Sequence, residues 1–263
     1  MRVLITGAGS GFGLAVGEEL RRRGETVRGI DLKQGQHILA ADIRDQEQVQ
    51  SAVEEIVHEL GGLDVVINNA GIGEPVSAGL MPGQQALTTL DTNLFGAWRV
   101  TAAALPTLVE SRGRVINIAS GLAFVNVPYS AAYSASKRGL AAYSDVLRLE
   151  YGDRIGVTTV YPGYVRTPIH QRSEEIGVSL SEAVPQEPLA AVVRSIVGCC
   201  YTRRPRRDVA TSFPTAVGIF FARHWPRATD WTVRLRMKRL IGQGRIARID
   251  QLLKSLETGS KKY

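Results

Sequence analysis

The sequence predicts an α/β domain, a doubly wound parallel sheet with helices on both faces, followed by a helical and basic C-terminal extension. Three observations predict it. Short apolar runs of strand length alternate with segments of helical period along most of the chain. A glycine-rich turn lies between the first strand and the first helix. After Arg203 the composition changes, and basic and aromatic residues gather.

The elements follow in order. Val3–Thr6 is a short apolar run ending at the glycine turn, and it reads as a buried strand. Gly11–Arg23 reads as a helix, Thr26–Ile30 as a strand and Ile38–Ala41 as another. The link between these two strands, "DLKQGQH", is too short for a full helical crossover, so that connection is abbreviated. Gln46–Leu60 places Val49, Val53, Ile56, Val57 and Leu60 on one helical face. Leu63–Ile67 is a strand, Gln84–Glu110 a long helix, Arg114–Ile118 a strand, Ala131–Tyr151 a helix and Val157–Tyr161 a strand. Pro188–Tyr201 gives a further helix and Asp208–Ala210 a last strand.

Length and composition set the frame. A chain of 263 residues with 44% hydrophobic content fits one large α/β domain with a proper core. The expected division is 1–211 for the sheet domain and 212–263 for the extension. No apolar run approaches a membrane span, and the N-terminus lacks the pattern of a secretion signal. The two cysteines, Cys199 and Cys200, are neighbours, and no spaced Cys/His set exists. A reducing, cytoplasmic setting and no metal are therefore expected. The scattered His37, His58, His170 and His224 read as ordinary residues. The net charge of +7 is uneven: Arg203–Arg245 holds eleven Lys/Arg and two Asp/Glu, so this segment carries +9 and the rest −2. The main body is not a nucleic-acid binder.

"TGAGSGFG" (Thr6–Gly13) matches neither G-x-G-x-x-G nor a nucleotide-triphosphatase loop. It matches T-G-x-x-x-G-x-G through Gly7, Gly11 and Gly13, with Ser10 and Phe12 between them. Glycines here let a phosphate approach backbone N–H groups at a helix N-terminus. A flexible βα loop is the plain alternative, but the position after strand one favours dinucleotide binding and a Rossmann-type domain. Asp31, followed by Leu32, ends the second strand; a carboxylate there accepts bonds from ribose hydroxyls and repels a 2′-phosphate. The expected cofactor is NAD, with NADP left open by the nearby Arg28 and Lys33. Asp42, followed by Ile43, either reaches the adenine or caps the next helix.

The motif set now resembles that of the short-chain dehydrogenase/reductase family. "NNAG" (Asn68–Gly71) follows a strand, "YSASK" (Tyr133–Lys137) is Y-x-x-x-K, and Ser120 stands thirteen residues before Tyr133. Asn93 in "DTNLFG" and "YPGYVRTP" (Tyr161–Pro168) complete the set, in order, over roughly residues 1–200. The resemblance implies Asn93, Ser120, Tyr133 and Lys137 as the catalytic residues. It implies cofactor contacts from Asn69, Ala70 and Gly71, from Tyr133 and Lys137, and from Pro162, Gly163, Val165 and Thr167. It also implies a homodimer or homotetramer paired through the helices Gln84–Glu110 and Ala131–Tyr151, where Ala102–Ala104, Ala135, Ala141 and Ala142 supply small residues.

The chemistry fits these residues. Interconverting an alcohol and a carbonyl moves one proton and one hydride. A free tyrosine, with a pKa of about 10, is a poor base near neutrality, and a neighbouring cation lowers that value. Of Tyr129, Tyr133 and Tyr143, only Tyr133 has a lysine at i+4 on the same helical face. Tyr129 is expected in the pocket wall and Tyr143 in helix packing. In the family, the lysine also holds the nicotinamide ribose, the serine holds the substrate oxygen, and the asparagine supports a water.

Leu122, Phe124 and Val125, with no charge among residues 121–129, suggest a small apolar alcohol or ketone as substrate, steroid-, retinoid- or lipid-like. A lid is expected from Thr167 to about Glu187. The rival reading is a non-catalytic nicotinamide sensor, or a lipid- or partner-binding protein on the same fold. In the extension, Val217, Phe220, Phe221 and Trp225 share one helical face. Val233, Met237, Leu240 and Ile241 share another, among Arg234, Arg236, Lys238 and Arg239, with Trp231 and Leu235 off it. Such a stretch either lies on an anionic membrane, as a peripheral contact, or folds back over the lid.

Overall fold

The computed structural model describes residues 1–167, 169 and 186–243. Most of the expected lid and the end of the extension lie outside these residues. Seven parallel strands form one sheet in the order β3-β2-β1-β4-β5-β6-β7. They are β1 Arg2–Thr6, β2 Thr26–Asp31, β3 Ile38–Ala40, β4 Val65–Asn68, β5 Arg114–Ile118, β6 Gly156–Tyr161 and β7 Asp208–Ala210. The helices are α1 Gly11–Arg22, α2 Gln46–Leu60, α3 Gln84–Leu90, α4 Ala97–Glu110, α5 Ala131–Tyr151, α6 Leu189–Tyr201, α7 Phe213–His224 and α8 Pro226–Gly242.

The two-residue period of each strand divides the core in two. Val3, Ile5, Ile67, Ile116 and Ile118 pack with Val16 and Leu20 of α1 and with Val192, Ile196 and Val197 of α6. Leu4, Val66, Val115 and Val157 face the other way, against Val49, Val53 and Ile56 of α2, Val100, Ala104 and Leu108 of α4, and Leu147 of α5. Both faces of the sheet are covered, as the near-continuous apolar strands require. The strand order reverses between β1 and β4, and there the carboxyl ends of the strands open into a crevice.

The abbreviated link is real. Only Leu32–His37 joins β2 to the parallel β3, and Gly29 N–H donates to the His37 carbonyl at 2.7 Å. His37 adopts the left-handed region, φ 61°, to turn the chain back. Leu32 is left 67% exposed beside it. Asp42 does not cap the next helix: Asp45 does, accepting from Glu47 N and Gln48 N, while Asp42 pairs with Arg44.

The long helix Gln84–Glu110 is continuous but not uniform. Between α3 and α4 the segment Asp91–Gly96 winds as a π-helix, and Asn93 sits in its middle. A π turn inserts an extra residue per turn and re-aims the side chains around it. Among the described residues, no helix is long and apolar enough to cross a membrane.

Candidate active site

The site is built on the ends of β1, β4, β5 and β6. Thr6, the last residue of β1, accepts the N–H groups of Asn69 and Ala70 on its hydroxyl at 3.1 and 3.0 Å. The Asn69 amide returns bonds to the Thr6 and Gly7 carbonyls at 3.0 and 3.1 Å. Gly7 turns at φ 66°, and a Cβ there would lie 2.8 Å from the Ala70 Cα. A Cβ on Gly13 would collide with the Gly7 carbonyl. Gly13 therefore lets α1 start against the turn; it does not border the cavity that Gly7, Ser10, Gly11 and Phe12 line.

That cavity measures about 610 Å³. Its far end is walled by Asp31, Leu32, Asp42 and Ile43. The Asp31 carboxylate accepts from Gly9 N at 2.8 Å and from Leu32 N at 2.7 Å, so it faces the glycine turn. Arg28 points away and pairs with Glu59 at 3.0 Å. Lys33 is exposed and does not border the cavity. Arg44 does border it, beside Asp42, and was missed in the sequence because it resembles any helix-approach arginine. The middle is lined by Asn69, Ala70 and Gly71 on one side and by Pro162, Gly163, Val165 and Thr167 on the other. A Cβ on Gly11 would come within 3.9 Å of Thr167, so the glycine turn and the Pro162–Thr167 loop face each other.

At the near end Ser120, Tyr133 and Lys137 converge. Ser120 ends the loop after β5, where its hydroxyl accepts Leu122 N at 3.1 Å and lies near enough to the Tyr133 hydroxyl to affect its titration. Lys137 is 3% exposed, its ammonium donates to the Ile118 carbonyl at 2.9 Å, and it lies 5.8 Å from the centre of the Tyr133 ring. Burial holds Lys137 down at about 8, against an ordinary 10.5. Burial raises the Tyr133 hydroxyl above its ordinary value, with the Ser120 bond opposing the shift. Burial is the largest influence on the phenol in this geometry, and it acts against the depression expected from the lysine.

Asn93 does not touch the cavity. It is 1% exposed and clasps the Ile72 backbone, accepting its N–H at 2.8 Å and donating to its carbonyl at 2.9 Å. Its amide also donates to Ser136 on α5 at 3.0 Å. A Cβ on Gly71 would meet the Asn93 Oδ1 at 3.2 Å and the Lys137 Nζ at 3.3 Å, so Asn93 lies directly behind the lysine.

Several expectations are corrected here. Leu122 and Val125 line the cavity, but Phe124 turns away from it. Its ring packs 5.5 Å from Tyr161 and carries the guanidiniums of Arg138 and Arg223 at 4.4 and 4.1 Å. Tyr129 does not line the cavity either. It sits at φ 64°, where its carbonyl accepts Val76 N at 2.8 Å. Tyr143 stacks on Trp98 at 4.8 Å. Ala141 and Ala104 are buried, leaving Ala102, Ala135 and Ala142 exposed. The near end also has walls not anticipated: Ile72 and Glu74, Ile169, and Pro214, Thr215, Gly218 and Ile219 of α7. Glu74 is a charge where none was expected. The i, i+3, i+4 spacing of Thr215, Gly218 and Ile219 was the available signal for the α7 wall.

Residues 1–176 match a family described as short chain dehydrogenase. Over 172 residues the chain is 37% identical to a 3-ketodihydrosphingosine reductase of Bacteroides thetaiotaomicron, covering 63% of this chain and 64% of that protein. It is 27% identical over 267 residues to an 11-beta-hydroxysteroid dehydrogenase A of Sesamum indicum, covering 89% and 74%. The chain thus spans less than two thirds of the first relative's length. A short chain dehydrogenase of Burkholderia cenocepacia, solved in complex with NADP, shares the fold at a TM-score of 0.76 and 24% identity, covering 88% of this chain and 96% of that one.

The buried lysine sets a pH signature. Lys137 titrates at about 8 when folded and at 10.5 ordinarily, so between those values the unfolded chain binds more protons. Its burial therefore costs stability below pH 8, and the cost fades as pH rises to 10.5. Lys137→Met should stabilise the free protein at neutral pH by up to about 3 kcal/mol, with the gain shrinking across that window. Melting curves of both proteins at stepped pH check this; a gap independent of pH would exclude it.

Proposed function

The chain belongs to the short-chain dehydrogenase family, and from that premise we propose that it exchanges hydride between a nicotinamide dinucleotide and an apolar carbonyl or alcohol. One observation carries the reading: Ser120, Tyr133 and Lys137 meet at one end of a cavity whose other end is the glycine turn and Asp31. A dinucleotide fits that cavity. The turn is side-chain-free at Gly7 and Gly11, opens onto the N-terminus of α1, and faces Thr167 across the gap. When bound, the nicotinamide supplies or takes the hydride. Pro162, Gly163, Val165 and Thr167 would hold its ring on one side and Asn69, Ala70 and Gly71 on the other.

The chain's own residues handle the proton. A buried tyrosine whose pKa is raised is protonated near neutrality, so Tyr133 is poised to donate to a carbonyl oxygen. Ser120 is placed to hold the same oxygen, its hydroxyl already oriented by Leu122 N–H. As the phenolate forms, the nearby Lys137 ammonium offsets its charge. Asn93 acts through others, positioning Ile72 and α5 behind the lysine.

Leu122, Val125, Ile169, Pro214 and Ile219 give the substrate end an apolar wall. The named activities of the two relatives, on a 3-ketodihydrosphingosine and on an 11-beta-hydroxysteroid, support a lipid- or steroid-like substrate class. NAD is the favoured cofactor, because Asp31 is turned toward the site while Arg28 is engaged by Glu59.

A homo-oligomer belongs to the same reading. Leu87, Phe95 and Trp98 on the α3–α4 helix and Val146 and Leu149 on α5 are exposed, Leu149 at 86%. Two such helices per protomer suit an isologous four-helix contact about a two-fold axis.

Three measurements test this reading. Tyr133→Phe should lower turnover by several orders of magnitude while nicotinamide affinity, measured by titration, stays within a few-fold; near-normal turnover would exclude Tyr133 as the proton donor. Asp31→Ala should narrow or reverse the ratio of kcat/KM for NADH over NADPH, and a wild-type preference for NADPH would assign that choice to Arg44 instead. Light scattering at micromolar concentration should give a multiple of the chain mass, and Leu149→Glu should lower it. A monomeric wild type would reject the shared interface.

A further inference from the structure

The C-terminal helices divide their surfaces unlike the pattern their apolar periodicity suggests. Met237 and Leu240 of α8 are buried and cluster with Val233 and Ile241. That stripe is used inside the protein and is not available to a membrane. Of α7, only Ile219 is buried, and it packs with Ala119, Ala123 and Tyr161 while also bordering the substrate end of the cavity. The other side of the pair stays open. Phe220, Phe221 and Trp225 are half exposed, and Trp231 and Phe213 are 63% and 82% exposed.

Three of these side chains form a patch. Phe220 lies 5.9 Å and Phe221 5.4 Å from Trp225, ring centre to ring centre, and Phe220 meets Phe221 at 6.0 Å. The adjoining α8 exposes Arg227, Arg234, Lys238 and Arg239, with Asp230 the one acidic residue between Phe213 and Gln243. A folded protein that leaves this many aromatics in water usually has a partner for them. The charge decides which. Two copies of so basic a surface would repel, so self-association is disfavoured. Aromatics ringed by arginines are the composition that seats at the headgroup level of a bilayer, with the guanidiniums on anionic lipids.

We propose that the outer face of α7 and α8 docks on an anionic lipid bilayer, and that α7 carries this contact directly to the substrate cavity. One face of the helix holds Phe220, Phe221 and the approach to Trp225; the opposite face supplies Thr215, Gly218 and Ile219 to the cavity wall. Docking therefore sets the mouth of the cavity at the membrane surface, where an apolar substrate is dissolved. The use of the contact rests on the apolar-substrate reading given above, but the contact itself does not.

Binding is measured without substrate. Full-length protein is mixed with vesicles of phosphatidylcholine alone or with added phosphatidylglycerol, then followed by sedimentation and by tryptophan emission. Two of the three tryptophans report on this face: Trp225 lies in the patch and Trp231 is exposed on α8. The protein should sediment only with the anionic vesicles, its emission should shift to the blue, and added salt should weaken both signals. Arg234→Gln with Lys238→Gln should lower vesicle affinity about thirtyfold. Phe221→Ser with Trp231→Ser should lower it further, with the melting temperature recording that each variant folds. Should the aromatic variant fail to fold, the charge variant and the salt series still decide. Protein left in the supernatant with anionic vesicles at low salt overturns the proposal. Affinity unchanged in the charge variant overturns it as well. So does displacement onto soluble polyglutamate in preference to vesicles, which would mark an acidic protein as the partner. Loss of turnover with vesicle binding intact would instead count against the enzymatic reading alone.

Discussion

The Asn93 clasp is the constraint on which the site depends. One buried amide holds both backbone groups of Ile72 and reaches Ser136 on α5. It thereby fixes three pieces of chain that sequence keeps far apart: the loop after β4, the α3–α4 helix and the helix bearing Tyr133 and Lys137. A regular α-helix at Asp91–Gly96 would keep its own hydrogen-bond ladder and its own side-chain directions. The π turn re-aims Asn93 into the interior instead. Breaking a π turn out of a long helix costs backbone regularity, and the three bonds made by the amide offset that cost.

Polar groups recur in the interior around this clasp. Asn68 donates to Thr101 at 2.8 Å and to Asn117 at 2.7 Å, and Asn117 donates to Ser144 at 2.8 Å. The chain of bonds runs from β4 and β5 to α4 and α5, and pins α5 to the sheet at Ser144, about two turns beyond Lys137. It is not fully satisfied: among the described residues the Asn68 Oδ1 has no hydrogen-bond partner. An orphaned buried carbonyl oxygen is costly, so the network fixes the helix position at some expense of stability. The same trade appears at Lys137, a buried ammonium with a single carbonyl acceptor among the described residues. Orientation at this site is set by polar contacts that an apolar core would not need.

The third constraint lies on the other side of the cavity. Glu187, 5% exposed, accepts the hydroxyls of Thr211, Ser212 and Thr215. A side chain on Gly163 would collide with both Glu187 and Thr215. The carboxylate thus joins the loop Pro162–Thr167 to the start of α7. The helix that walls the near end of the cavity and presents the aromatic patch is thus tied, through one buried side chain, to the same loop that faces the glycine turn.

Much of this was legible in the residue order, because its signals are local. Strand and helix alternation, the glycine turn at Thr6–Gly13 and the four-residue step from Tyr133 to Lys137 each depend on neighbours within one or two turns of chain. So does the short Leu32–His37 link, which was plain from the count of residues alone. What the sequence could not fix was which side of an element meets which partner. Phe124 reads as a pocket residue until the guanidiniums of Arg138 and Arg223 settle over its ring. Asp42 reads either as an adenine contact or as a helix cap until Arg44 turns back on it, Asp45 takes the cap and Asp42 is left in the cavity wall. Val233, Met237, Leu240 and Ile241 read as one apolar face for a membrane or for the protein until the fold buries Met237 and Leu240 and packs the other two against them, leaving the aromatics of α7 outside. The sign of the Tyr133 shift belongs with these. A lysine four residues on predicts a lowered pKa, but the loss of water around the phenol, which only the packed tertiary structure produces, raises it.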